Sequence, residues 1–183
     1  MNKGETLIVQ TYEGYMIAAD LYDPEGAEVI DEYQKLSNEP ICYIYNNPFQ
    51  IDMISEPIRK ALFRWLEHLK HPVYVKLNAS SMHEQMSGEK TVIIYFLKTS
   101  VHFKTVGHLG IFRAVALPKI KAPTIDETLQ ILYDTYQHKT QTIYATDEIK
   151  PTFETISIVD FTQTPPKIIR QGDATLDPLP QNK

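Results

Sequence analysis

The sequence predicts an α+β domain: a mostly antiparallel sheet, two main helices and an extended proline-rich C-terminal arm. Three observations predict it. Apolar residues alternate with period two in several runs before residue 161. Two segments, 55–70 and 124–138, carry apolar residues at helical spacing. Pro165, Pro166, Pro178 and Pro180 then fall within residues 162–183, where each removes a backbone donor and fixes φ. That arm has few, scattered apolar residues, too little to offset its own ordering entropy. The domain division is therefore 1–161 for the body and 162–183 for the arm.

The first elements are strands at 6–11 and 15–22, joined through Glu13-Gly14, where glycine accepts the backbone conformation of a tight hairpin. Asp23-Pro24-Glu25-Gly26 ends the second strand, and 27–36 is a short helix with Val29, Ile30, Tyr33 and Leu36 on one face. Residues 41–45 form a compact apolar strand, stopped by Asn46-Asn47-Pro48. The 55–70 helix buries Ile58, Ala61, Leu62, Trp65, Leu66 and Leu69; Arg59, Lys60, Arg64 and Glu67 take its other side, and Phe63 falls among them. His68, Lys70 and His71 suit the negative end of the helix dipole, and Pro72 stops the helix.

A strand at 73–77 leads to a polar loop, 78–89, containing Met82, His83 and Met86. The β signal from 91 to 106 is either one unusually long strand or a hairpin about Lys98-Thr99-Ser100. A strand at 109–117 follows. The 124–138 helix opens on a capping box, Thr124-Ile125-Asp126-Glu127, and buries Ile125, Leu129, Leu132, Tyr133 and Tyr136. Strands at 140–146 and 153–161 close the body, with Lys150-Pro151 in the turn between them.

Composition narrows the function. The 183 residues are 43% hydrophobic and 22% charged, ordinary for a soluble globular protein. A net charge of −5 counts against a general nucleic-acid binder, so nucleic acid is an unlikely partner on this reading. The one cysteine, Cys42, excludes an intrachain disulfide and a cysteine zinc cluster, and its apolar run makes it a buried thiol. The N-terminus has no apolar signal core, and no run approaches the roughly 18 apolar residues of a membrane span. The expected location is cytoplasmic, or virion if the source is viral.

No motif carries chemistry. Phosphate-cradling glycine loops and the nucleophile elbow are absent from the sequence. Five of the six histidines lie between His68 and His108, but the His68/His71 pair has the wrong spacing and no intervening glutamate for a helical zinc site. His138-Lys139-Thr140 matches one half of a two-histidine phosphoesterase, and the second half is missing. The sequence therefore implies no cofactor, no metal and no catalytic residue.

From residue 55 to 161 the order of helix, strand, long strands, helix and terminal strands resembles the tail-terminator and tail-completion proteins of tailed bacteriophages. The resemblance rests on element order, with no motif residue to carry over. It implies a non-enzymatic structural subunit that forms a ring at a phage head–tail junction. The expected partners are then proteins, in a homo-oligomer or larger assembly, touching through Arg59, Phe63, Arg64, Met82, Met86, Ile168, Ile169 and Arg170. Two alternatives stand beside it. One is a small enzyme or nucleotide-binding protein gathering His83, His102 and His108 from the histidine-rich region 83–108. The other is a regulatory or inhibitor protein that binds another macromolecule through Arg59, Phe63 and Arg64.

Overall fold

The computed structural model describes residues 4–45, 50–58, 60–96, 110–120, 122, 124–138, 140–145 and 151–180, with the backbone alone for Gln141. The fold is α+β, with mixed strand pairing: among the described residues four pairs are antiparallel and three parallel. Contacts concentrate in two compact units, Met1–Ile41 with Ile111–Phe153, and Cys42–Gly110 with Glu154–Lys183.

In the first unit β1 (Thr6–Gln10) and β2 (Tyr15–Asp20) form the expected hairpin, closed by reciprocal Thr11 and Gly14 backbone bonds, with Gly14 at φ 144°. Strand β6 (Phe112–Ala116) adds antiparallel to β2, and β7 (Thr140–Tyr144) adds parallel to β1. Helix α1 (Pro24–Ser37) starts where Asp23 accepts a hydrogen bond from the Glu25 amide and Pro24 supplies a preset φ. It ends on Asn38 in the left-handed region. Gly26 lets α1 approach the sheet, because a Cβ there would lie 2.7 Å from the Ala19 Cβ. Helix α5 (Ile125–Tyr136) begins as the capping box predicts: the Thr124 hydroxyl accepts from the Glu127 amide at 3.2 Å. Ile8, Ile17, Ala19 and Val115 from the strands meet Ile30 of α1 and Leu132 and Tyr136 of α5 in one buried cluster. Two residues expected on buried faces are exposed instead, Leu36 at the end of α1 and Tyr133 on α5.

In the second unit the strand order is β3 (Cys42–Ile44), β5 (Thr91–Phe96), β4 (Val73–Asn78), β8 (Ile158–Asp160) and β9 (Lys167–Arg170). Val73, Tyr74 and Val75 of β4 are buried in succession, as expected for a strand covered on both faces. The helix expected over 55–70 is shorter, because residues 55–58 are not helical. A short helix, α2 (Ile51–Ile54), comes first; Ser55 then takes an extended conformation and bridges Ala79; α3 begins only at Lys60 and runs to His68. Pro57 explains the break, since a proline disfavours helical backbone in the residue before it. Helix α3 buries Leu62, Trp65 and Leu66 and leaves Phe63 and Arg64 exposed, and with them Ala61, which was expected on its buried face. The 14-residue α1, expected as a short helix, is longer than the nine-residue α3.

The expected 153–161 strand is only three residues long, β8. Its lead-in pairs elsewhere: the Thr155 amide donates to the Asp173 carboxylate at 2.7 Å, and the Asp173 amide donates to the Thr155 carbonyl at 2.9 Å. Residues 167–170 pair antiparallel with β8 as β9. Residues 97–106 of the long β signal lie outside the described residues, so the choice between one strand and a hairpin does too. Among the described residues no helix is long and apolar enough to cross a membrane.

Candidate functional site

The expected polar loop 78–89 contains a helix, α4 (Ser81–Ser87), and this helix brings a buried histidine into a polar cluster of the second unit. Ser80 caps it, its hydroxyl accepting from the His83 amide at 3.1 Å, and Gly88 ends it in the left-handed region. The capped turn directs the His83 ring inward, where it is 3% exposed. There it meets Tyr43 of β3 edge-on, the ring centroids 5.2 Å apart. Glu89 joins both: the Tyr43 hydroxyl donates to its Oε2 at 2.7 Å, and His83 Nε2 lies 3.2 Å from the same oxygen. The Tyr43 oxygen and His83 Nε2 are 3.3 Å apart.

One carboxylate oxygen facing both groups calls for hydrogen on each, so Glu89 sets the imidazole tautomer with Nε2 protonated. Glu89 is half-buried while Tyr43 and His83 are sealed. The arrangement ties α4 to β3 and leaves neither the phenol nor the imidazole open to a substrate. A second cluster sits at the end of β8. Asp160 Oδ1 accepts from the Thr162 amide at 2.8 Å and hydroxyl at 2.6 Å, and Lys76 lies 3.5 Å from Oδ2. Burial pushes the Asp160 carboxyl up, but the two Thr162 bonds and Lys76 outweigh it and hold the group below its ordinary value.

In the first unit His138 and Thr140 of the half-motif line one groove of about 320 Å³ together with Gly4, Glu5, Glu25 and Val29. Two carboxylates there oppose a phosphate. Among the described residues no group of three or more His, Cys, Asp or Glu could hold a metal ion.

The contact residues named from sequence fall on separate elements. Phe63 and Arg64 are exposed on α3, Met82 and Met86 on α4, and Ile168 and Ile169 on β9. Arg170 is half-buried: its guanidinium sits 5.7 Å over the Tyr74 ring and its Nε donates to the Ile156 carbonyl at 3.0 Å. Arg59, His102 and His108 lie outside the described residues. Of the histidine-rich region, His83 is therefore the one described histidine, and it faces Tyr43 and Glu89, which sequence reasoning did not single out. The Ser80 and Gly88 pair, a cap and a stop seven residues of helix apart, was the available signal.

The family model for the Sua5/YciO/YrdC proteins, described as telomere recombination, matches residues 1–172. The chain belongs to this family. Solved structures share the fold. YciO of E. coli superposes with a TM-score of 0.69 at 13% identity, covering 96% of this chain and 87% of that one. P. abyssi Sua5 complexed with L-threonine gives 0.68 at 16% identity, over 92% of this chain and 51% of that one. Full-length HypF in its phosphate- and nucleotide-bound form gives 0.65 at 10% identity, over 92% of this chain and 27% of that one. The chain thus spans about half the length of Sua5. No curated protein sequence matches it.

Membership corrects three expectations. The likeness to phage tail-terminator proteins came from element order alone and is overturned by the family match and by the fold shared with YciO and Sua5. The structural subunit of a phage virion, and the ring at a head–tail junction, go with it. So does the expectation that nucleic acid is an unlikely partner: the family description names a nucleic-acid process, and net charge of −5 reports on solubility and steering rather than on a ligand pocket.

Proposed function

We propose that this chain is a cytoplasmic nucleotide-binding domain of the Sua5/YciO/YrdC family, serving chemistry on nucleic acid. The observation that carries the reading is the family match over residues 1–172, and the phosphate- and nucleotide-bound HypF supports it by sharing the fold. It takes up the nucleotide-binding alternative drawn from the sequence. We further propose that the domain binds its nucleotide without turning it over by itself. Burial keeps His83 and Tyr43 from acting as its general acid or base, because such a group must reach the proton it moves, and a hydrolysis assay tests the rest.

A polyphosphate needs cations. Lys98, His102, Lys104 and His108 fall within one short stretch of sequence, and these are the residues to replace. The test is calorimetric titration of the full chain with ATP, ADP and inorganic phosphate, alone and with L-threonine, followed by a hydrolysis assay. The expected result is saturable nucleotide binding that weakens about tenfold or more in a Lys98→Ala, Lys104→Ala double variant, with hydrolysis at the buffer rate. Absence of nucleotide binding overturns the first claim. Turnover above buffer overturns the second.

A further inference from the structure

We propose that the second unit holds a separate site for a small organic cation, a primary ammonium on a short apolar body. The site is a cavity of about 110 Å³ lined by residues around α3, the end of β4 and the turn after β8. Its apolar surface comes from Ile58, Leu62, Leu77 and Phe161. Its charge comes from Glu56, which is the one ionisable residue among the described lining residues.

Glu56 is exposed and bonded to Asn78. Its amide donates to the Asn78 carbonyl at 3.0 Å, and the Asn78 side-chain amide donates to its Oε2 at 3.0 Å. These bonds join Glu56 to the end of β4 beside the cavity, and no ion pair to Glu56 occurs among the described residues. Thr162 adds a second acceptor. Its hydroxyl hydrogen is committed to Asp160 at 2.6 Å, so toward the cavity the oxygen can only accept. Acceptors beside an apolar wall suit a ligand with donors at one end and alkyl at the other. An ammonium has three donors and no acceptor. A carboxylate or phosphate would face Glu56 at close range and be repelled, which separates this cavity from any nucleotide site.

Size limits the apolar part. A cavity of about 150 Å³ accommodates benzene, so this one suits a ligand of about five non-hydrogen atoms. Phe161 lines the cavity. It also supplies a reporter: its ring lies 5.7 Å from that of Trp65, the chain's one tryptophan.

The experiment titrates the full chain with n-butylammonium chloride, with n-butanol and with sodium butyrate at constant ionic strength. The readouts are Trp65 fluorescence and amide shifts of Asn78 and Thr162. The expected result is saturation by butylammonium in the millimolar range, none by butyrate, and affinity reduced about tenfold or more in Glu56→Gln. That variant keeps an oxygen for Asn78 to bond, and circular dichroism checks that its fold is unchanged. Equal responses to butylammonium and butanol, unchanged affinity in Glu56→Gln, or no saturation by about 0.1 M butylammonium would overturn the proposal.

Discussion

Replacing Gly172 by alanine should destabilise the second unit sharply, because the space for a methyl group is already occupied by backbone. A Cβ at this position would lie 2.3 Å from the Thr155 carbonyl oxygen, 2.6 Å from the Ser157 nitrogen and 2.8 Å from the Ile156 carbonyl carbon. No rotamer change relieves a clash with main chain, so the two segments must separate by about 1 Å. That separation breaks or weakens the bonds joining them: Asp173 amide to Thr155 carbonyl at 2.9 Å, Thr155 amide to Asp173 carboxylate at 2.7 Å, and Gly172 amide to Ser157 hydroxyl at 2.9 Å. At about 1 kcal/mol per bond the loss is roughly 3 kcal/mol. Alanine returns about 0.4–1 kcal/mol by restricting the unfolded chain. The net cost of about 2–3 kcal/mol lowers the melting temperature by roughly 5–10 °C in a chain of this size. Thermal unfolding followed by circular dichroism measures it. Gly88→Ala is the control: Gly88 has φ 76° and open space around it, so only backbone strain of about 1 kcal/mol applies. A Gly172→Ala melt within about 1 °C of the parent, or no larger a drop than in Gly88→Ala, would refute the close-approach argument.

Three further outcomes are expected. Asp160 has a depressed carboxyl pKa in the folded state, so its stabilising contribution is complete above the unfolded value near pH 4 and is lost as pH falls below it through the folded value. Urea midpoints between about pH 6 and 2.5 should converge for the parent and Asp160→Asn at the acid end and diverge above about pH 4. Leu132→Ala empties a fully buried position in the first unit and should cost about 2–5 kcal/mol by urea denaturation. Thr124→Ala removes the cap bond to the Glu127 amide and should cost about 1 kcal/mol in the same assay, with Thr124→Asp restoring it.

Much of the fold was legible wherever a local rule coincided with a tertiary demand. The Thr124 capping box and the Gly14 hairpin appear as expected because each is satisfied by neighbours in sequence. Failures came where a distant partner decided. Segment 153–157 has strand composition, yet Thr155 bonds Asp173, eighteen residues away, instead of a ladder neighbour. Helix α4 was missed because Ser81–Ser87 has almost no apolar stripe; its stability rests on the Ser80 cap, the Gly88 stop and the single buried ring of His83. The polar cluster was half legible. His83 stood out as a residue type, but nothing local announces that Tyr43 and Glu89 converge on it from positions 40 residues before and six after. Family membership was not legible from the residues read, because element order alone does not separate one α+β protein from another.

The interleaving of the two units bears on how the chain emerges from a ribosome. Thr6 of β1 touches Thr140 of β7 across 134 positions, and Met16 of β2 lies opposite Ala116 of β6. The β1–β2 hairpin therefore precedes residues 112–116 and 140–144 and carries both edges unpaired until they are made, with Ile8 and Ile17 lacking the Val115 and Leu132 that will cover them. Strand β4 waits in the same way for β8. Such distant pairings slow folding and leave nascent strands open to wrong partners. The edges of β1 and β4 therefore need shelter until residues 140–144 and 158–160 are made.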